Sequence, residues 1–197
     1  PLPNVTANST ASIICNGSSV TLTGGGALTY TWSNGVINGT AFNPTITNNY
    51  AVSGTDANGC VNSATKTVTV NTIPTITVNS GSICNGQSFT MTPTGANTFS
   101  YSSGTAVVSP TVDATYTVTG TSIDGCINSI GSVSSITVNA IPTITVNSGP
   151  ICNGQSFTMT PSGASTYTYS NGSNIATPTA DASYTVTGTS ALGCTNT

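Results

Sequence analysis

The sequence has almost no charged side chains. Of its 197 residues, one is Lys and four are Asp, while His, Glu and Arg are absent. Charged residues make up 3% of the chain, against about 25% in an ordinary globular domain. The usual general bases, zinc ligands and phosphate-binding side chains are therefore missing. The composition predicts a protein that is not an enzyme and that holds no metal ion and no cofactor.

The scarcity of positive charge excludes two further classes of partner. Lys66 is the single cation, and the formal net charge is −3. One cation cannot make the several phosphate contacts that nucleic-acid binding needs, nor form the basic patch that holds a protein on an anionic membrane. The sequence contains no run of about 18 apolar residues, the length that a membrane-spanning helix needs. Its first residues do not resemble a signal peptide. We expect an exported chain after processing, or a piece of a longer one.

Small uncharged polar residues fill the composition instead. The chain contains 40 Thr, 27 Ser, 21 Asn and 21 Gly, and Thr favours β-strands. Apolar residues alternate with Thr or Ser over five to seven positions throughout, which is the period of a strand with one buried face. No segment has helical periodicity. The sequence predicts an all-β protein.

Cysteines and aromatic residues mark three tandem copies of one unit. Each copy has a cysteine that begins Cys-Asn-Gly and a second cysteine that follows a glycine. Residues 73–126 match residues 141–194 at 39 of 54 positions. We therefore predict three domains, 1–71, 72–139 and 140–197. The third copy ends three residues after Cys194, so it is expected to lack the final strand. Either the chain is an excerpt of a longer array, or a neighbouring molecule donates that strand.

Each copy is predicted to form six or seven short antiparallel strands in two sheets, an Ig-like sandwich. Turn signals such as Asn16-Gly17 and Asn85-Gly86 separate the strands. Large apolar residues recur on one face of each strand and are expected to form the core. The aromatic members of this predicted core are Trp32, Tyr50, Tyr101, Tyr116, Tyr169 and Tyr184.

The six cysteines are predicted to form one disulfide in each copy. If six strands alternate in direction, the first and last turns of a copy lie at the same end, and both cysteines lie in those turns. This predicts three pairs: Cys15 with Cys60, Cys84 with Cys126, and Cys152 with Cys194. Each bridge closes a loop of about 44 residues, which contributes about 4 kcal/mol. Zinc binding and free thiols in a reducing cytosol are the alternatives. Disulfides indicate an oxidising compartment outside the cytoplasm.

The joints between the copies are short. The last strand of one copy reaches the next through Val70-Asn-Thr-Ile-Pro-Thr75 or Val138-Asn-Ala-Ile-Pro-Thr143. Pro74 and Pro142 each fix one backbone torsion. Joints without a flexible spacer favour an extended rod.

Two segments of the first copy carry a resemblance to a known family. Thr29-Tyr-Thr-Trp-Ser-Asn-Gly35 and Tyr50-Ala-Val-Ser-Gly-Thr-Asp-Ala-Asn-Gly-Cys60, closed by Thr65-Lys-Thr-Val-Thr-Val70, resemble the immunoglobulin-like and PKD-like repeats of very large Bacteroidota surface proteins. These include gliding-motility adhesins and other type IX secretion substrates. The resemblance implies an extracellular stalk or adhesive filament without catalytic residues. Tyr101 and Tyr169 replace the Trp, and the fuller acidic PKD motif is missing.

The remaining candidate sites have simpler interpretations. Asp56 and Asp124 are calcium-ligand candidates without a second carboxylate close by, so we expect them to form turns. Asp113 and Asp181 share one repeat position and are also expected in turns. The aromatic residues are candidates for stacking on sugars, but their placement among core residues favours burial.

The sequence thus predicts a non-enzymatic structural or adhesive segment of a long extracellular surface protein. Its expected partners are further repeats of the same or identical chains, with a surface or glycan ligand as a further partner. The alternatives are a self-assembling, pilus-like filament subunit, joined by strand donation or through uncharged strand edges, and a glycan-binding module.

Overall fold

A computed structural model describes all residues, Pro1–Thr197. The protein is all-β, with 45% of its residues in strands and 2% in helical conformation, so the predicted fold class is confirmed. The chain divides into two compact units. The first unit contains Pro1–Thr77, Pro93–Ser100 and Val118–Ser132, and the second contains Val78–Thr92, Tyr101–Thr117 and Val133–Thr197. No helix is long and apolar enough to cross a membrane.

The first repeat forms two sheets. One has the strand order β1-β3-β5 and the other β2-β7-β6-β4. A short 3-10 turn, Ser33–Gly35, follows β4. The strands are β1 (Thr6–Ser9), β2 (Ile13–Cys15), β3 (Val20–Gly25), β4 (Thr29–Trp32), β5 (Ala41–Phe42), β6 (Asn48–Thr55) and β7 (Val61–Asn71).

The second repeat has the same arrangement of strands. Its larger sheet has the order β10-β12-β13-β8, and β9 pairs with β11. The segment equivalent to β1 forms no strand and contributes only an isolated β-bridge, a single backbone pairing between Thr77 and Thr94. The strands are β8 (Gly81–Cys84), β9 (Phe89–Thr90), β10 (Thr98–Tyr101), β11 (Val107–Val108), β12 (Ala114–Thr121) and β13 (Ile127–Asn139).

The third repeat has fewer strands. β14 pairs with β16, and the second sheet has the order β15-β17-β18. The segment Gly149–Cys152, which is equivalent to β8, belongs to no strand. The strands are β14 (Phe157–Thr158), β15 (Thr166–Tyr169), β16 (Ile175–Ala176), β17 (Val186–Thr189) and β18 (Thr195–Asn196).

Alternating residues of both sheets form the core of the first repeat. Leu22, Val52 and Val68 are fully buried, and each is flanked along its strand by Thr, Ser or Ala that is at least partly exposed. This is the alternation expected of strands with one buried face. Burial of such side chains is the main favourable contribution to folding of a unit with so few charges. The whole cluster is Val5, Ile14, Val20, Leu22, Trp32, Tyr50, Val52 and Val68.

In the first two repeats, the opening segment changes sheets part-way along. β1 pairs with β3 in one sheet, and β2, which begins four residues after β1 ends, pairs with β7 in the other. The pairing of β2 with β7 is parallel, as is that of β8 with β13. Strict alternation of strand direction, which the sequence analysis assumed, would make these pairs antiparallel. That assumption is therefore wrong.

Gly26 allows the chain to pass close to itself at the start of the first repeat. Its φ is +83°, and a Cβ atom at this position would overlap the carbonyl oxygen of Asn4. Gly17 has a similar φ of +88°, but an added Cβ would meet nothing within 4 Å. A substitution at Gly17 therefore adds backbone strain alone, whereas a substitution at Gly26 adds backbone strain and steric overlap.

We expect Gly26→Ala to destabilise the protein more than Gly17→Ala does. The Gly17 variant should lose about 1–2 kcal/mol, the cost of a left-handed backbone for an L-residue. The Gly26 variant adds a clash with backbone and should lose about 3 kcal/mol or more. Urea unfolding gives both values, and equal losses would contradict the role assigned to Gly26.

Candidate functional site

Two disulfides join neighbouring repeats. Cys15 is bonded to Cys126 and Cys84 to Cys194, with a Cα–Cα distance of 5.6 Å in each. Each bridge links the Cys-Asn-Gly cysteine of one repeat to the second cysteine of the following repeat. All three predicted pairs, Cys15–Cys60, Cys84–Cys126 and Cys152–Cys194, are therefore wrong. Cys60 and Cys152 are free.

The parallel pairing of β2 with β7 explains why a bridge inside the first repeat does not form. Cys15 lies opposite Asn71, the last residue of β7. Cys60 directly precedes Val61, the first residue of that strand. A strand of 11 residues is about 33 Å long, whereas a disulfide needs Cα atoms within about 7 Å. The two cysteines of the repeat therefore lie at opposite ends of one strand.

The joint between repeats brings the bridged cysteines together. The Cys126 sulfur lies 3.9 Å from the carbonyl oxygen of Asn71, where β7 ends. The Cys194 sulfur makes the same contact, also at 3.9 Å, with the carbonyl oxygen of Asn139 at the end of β13. The strand that closes one repeat thus runs directly to the second cysteine of the next.

An asparagine holds the start of each repeat to the beginning of its last strand. The Asn128 side chain donates a hydrogen bond of 2.9 Å to the carbonyl of Pro74. The pairs Asn62–Pro3 and Asn196–Pro142 have the same length and atoms. Each asparagine lies two residues after the second cysteine, so in the second and third repeats this bond fixes the joint beside the bridge. These asparagines were not predicted from the sequence, although their constant spacing from the cysteines was a usable signal.

Two of the four aspartates accept hydrogen bonds from backbone amides. Asp56 Oδ1 accepts bonds from the amides of Asn58 and Cys60 at 2.8 and 2.9 Å, which is a turn of the expected kind. Asp113 has a different role, because its Oδ1 accepts a 2.7 Å bond from the amide of Val138 in β13. This contact with the last strand was not predicted from the sequence.

The same position carries a threonine in the first repeat. Thr47 Oγ1 accepts a 2.9 Å bond from the amide of Val70 in β7. An oxygen at this position therefore latches the last strand of its repeat. In the third repeat the equivalent residue is Asp181, which is exposed.

An open groove lies in the third repeat where the first two repeats have their last strand. Its volume is about 670 Å³. It is lined by residues 146–153 and 178–184, together with Phe157 and Met159. Cys152 lines the groove and is exposed.

The predicted core aromatics differ in burial. Trp32 and Tyr50 are 5% and 4% exposed, and the Trp32 indole N–H donates a 3.0 Å hydrogen bond to Asn38 Oδ1. A ring enclosed in this way has no face free to stack on a sugar. Tyr101, Tyr116, Tyr169 and Tyr184 are half-buried. Lys66, opposite Tyr50 on β7, is also half-buried.

The sequence matches no protein-family model and is similar to no curated protein. Among solved structures, a Ca²⁺-stabilised adhesin of an ice-binding Antarctic bacterium is 19% identical, with a TM-score of 0.38 over all of this chain and 72% of that one. A 1.5-MDa bacterial ice-binding adhesin is 18% identical, with a TM-score of 0.32 over all of this chain and 95% of that one.

A third similar structure is SGBP-B of the Bacteroides ovatus mixed-linkage glucan utilization locus, in complex with a mixed-linkage heptasaccharide. It is 18% identical, with a TM-score of 0.24 over 93% of this chain and 60% of that one. Likeness at these levels is too weak to indicate function.

Removal of the first bridge should strongly destabilise the protein. For a closed loop of about 100 residues, chain entropy predicts a loss of about 4.7 kcal/mol, and Cys15 and Cys126 are 111 residues apart. We expect a loss of this order in the double variant Cys15→Ser/Cys126→Ser, measured by urea unfolding. Cys60→Ser is the control and should change stability little. A larger effect of Cys60→Ser would contradict the assigned pairing.

Replacement of Asp113 by Ala should weaken the hold on β13. The loss of one hydrogen bond predicts a stability loss of about 1 kcal/mol. Asp113→Thr should recover most of it, because Thr47 makes the equivalent bond in the first repeat. Asp124→Ala, in an exposed turn, is the matched control for lost charge. If the Thr variant is as unstable as the Ala variant, the latch is not what Asp113 provides.

Proposed function

We propose that this chain is a tension-bearing segment of an extracellular structural or adhesive protein, with no catalytic role. One observation carries the proposal: both disulfides cross a joint between repeats. A bridge inside a repeat would stabilise that repeat but would leave each joint held by the main chain alone. Bridges placed across the joints reinforce the connections on which the length of an array depends.

The order of the bonded cysteines has a direct covalent consequence. The two disulfide loops, Cys15–Cys126 and Cys84–Cys194, overlap along the chain. Every peptide bond between Cys15 and Cys194 therefore lies within at least one loop. A single break at any of them leaves the two products joined. A surface protein exposed to proteases and to pulling forces benefits from this arrangement.

The bridges also define which residues carry load when the ends are pulled. The shortest covalent path runs from Pro1 to Cys15, across to Cys126, back along the chain to Cys84, and across to Cys194. Residues 16–83 and 127–193 lie outside this path. The segment between Cys84 and Cys126 is the load-bearing part of the second repeat.

The two disulfides support an extracellular location, because disulfides persist in oxidising compartments. We propose that the source is a large surface protein of the Bacteroidota kind, of the class exported by type IX secretion and used in gliding adhesion. We also propose that the segment is a stiff stalk of three Ig-like domains with the boundaries given above.

A second candidate function is that of a filament subunit joined by strand donation. The open groove of the third repeat favours it, because a strand from elsewhere has a place to bind there. Donated strands supply backbone hydrogen bonds for affinity and alternate side chains for specificity.

A surface-display experiment tests the proposed load-bearing role. The chain is placed between a cell-surface anchor and a fluorescently tagged tip domain, with a protease site inserted after Thr72 in the first joint. We expect the tip to stay on the cell after complete cleavage and to be released only when a reductant is added.

The variant Cys15→Ser/Cys126→Ser is the matched control and should release the tip on cleavage alone. Loss of the tip from the unmodified chain, with cleavage confirmed on a reducing gel, would refute the proposal.

Single-molecule pulling gives a second test. The oxidised chain should reach about a third of the extension of the reduced chain, since the stretched length is proportional to the number of residues in the covalent path between the two ends.

A further inference from the structure

The two free cysteines occupy complementary positions in the repeat. We call the cysteine of Cys-Asn-Gly the leading cysteine and the cysteine after the turn glycine the trailing cysteine. Both bridges join the leading cysteine of one repeat to the trailing cysteine of the next. Cys152 is a leading cysteine. By the pattern of the two bridges, its partner would be the trailing cysteine of a repeat that follows. Cys60 is a trailing cysteine and is assigned to a repeat that precedes.

The groove beside Cys152 has the position of a missing strand. In the first two repeats, β7 and β13 lie between the segment of the leading cysteine and the neighbouring strand. Ile14 and Ile83, which precede the leading cysteines there, are each 8% exposed, whereas the equivalent Ile151 is 37% exposed. β17 begins at Val186, while the equivalent β12 begins four residues earlier in its repeat. Both differences follow from the absence of a pairing strand.

The groups that hold β13 in the second repeat are repeated around the groove. Ser134 Oγ donates to the carbonyl oxygen of Asn79 at 2.7 Å, and the amide of Ser135 donates to Ser80 Oγ at 2.9 Å. The amide of Val138 donates to Asp113 Oδ1. The equivalent residues of the third repeat, all of the same type and all lining the groove, are Asn147, Ser148 and Asp181.

We propose that the groove and Cys152 together form the docking site for a further repeat of this same type, joined in series. A strand like β13 fills the groove, parallel to Gly149–Cys152, and the repeat that follows it brings a trailing cysteine that bonds to Cys152. This inference rests on the proposed function only in taking the protein to be an array of repeats. It does not depend on load or on adhesion.

β13 serves as the template for the occupant. Ile136 of β13 is 2% exposed and Ser134 fully buried, so the strand needs an aliphatic residue and, two positions earlier, a hydroxyl. Asn139 ends the strand and touches the trailing cysteine of the next repeat, Cys194. A strand without the hydroxyl would leave the Asn147 carbonyl without the donor that Ser134 supplies to Asn79 in the second repeat.

The bond to Cys152 forms by thiol–disulfide exchange with a small disulfide such as oxidised glutathione. The Cys152 thiolate attacks one glutathione sulfur, forms a mixed disulfide and releases one reduced glutathione. The thiolate of the trailing cysteine then attacks the Cys152 sulfur and releases the second. Two protein thiols and one oxidised glutathione thus give one protein disulfide and two reduced glutathiones.

The test extends the full chain with its own sequence. Because Thr197 is equivalent to Ser129, a second copy of residues 130–197 added after Thr197 supplies a strand like β13, a joint and a fourth repeat. After refolding with reduced and oxidised glutathione, non-reducing peptide mapping should find Cys152 bonded to the added copy of Cys194. The added copy of Cys152 should be free.

Three outcomes would overturn the proposal. The first is a Cys152 that still reacts with maleimide in the folded extended chain. The second is a bond between the added copies of Cys152 and Cys194. The third is the formation of disulfide-linked multimers through Cys60 and Cys152 by the unextended chain, because the strand would then not be needed. None of these readouts involves load, so failure here is distinct from failure of the display experiment.

A peptide arm decides the matter if the extended chain does not fold. The probe is the synthetic peptide of residues 130–139, added to the unextended protein at saturating concentration. It should slow maleimide labelling of Cys152 by about tenfold or more, because a filled groove exposes the thiol only on local opening. The same peptide with Ile136→Asp is the control and should have no effect. Equal protection by both peptides, or by neither, would overturn the proposal.

Discussion

The parallel pairing of the strand that carries the leading cysteine with the last strand of its repeat determines the covalent structure of this protein. It places Cys15 beside Asn71, at the end of the repeat from which the chain continues. The second cysteine of the same repeat is at the far end of β7 and out of reach. The nearest cysteine is that of the following repeat, Cys126, so the bridge forms across the joint. The overlap of successive disulfide loops follows from this one pairing.

Hydrogen bonds between side chains and the backbone hold the joints and the last strands of this protein, which has a single cation available for ion pairs. The side chain of Asn128 fixes the carbonyl of Pro74 at the joint, and Thr47 or Asp113 latches the amide near the end of the last strand. Such bonds are individually worth about 1 kcal/mol. The asparagine bond is present in all three repeats, and the latch is present in the first two.

Repetition also makes the third repeat informative. The residues that line its groove include the types that hold β13 in the second repeat, namely Asn147, Ser148 and Asp181. Ile151, by contrast, is exposed where its equivalents are buried. The contacts that a strand would make in the groove can therefore be inferred from the second repeat, in which β13 occupies the equivalent position.

The amino-acid sequence alone determined the all-β fold class and the three-fold repetition of the landmarks. Alternation of apolar and small polar residues is a local property, and it also selected Trp32 and Tyr50, which the structure places in the core. The pairing of the cysteines was decided only by the tertiary structure. The direction of β2 relative to β7 depends on the chain crossing from one sheet to the other between β1 and β2. The alternation of apolar and polar residues does not show where such a crossing occurs. The latch at Asp113 was likewise hidden, because its partner Val138 lies 25 residues away. Local periodicity shows which residues face inward, but only the packing of the sheets decides which distant residues meet.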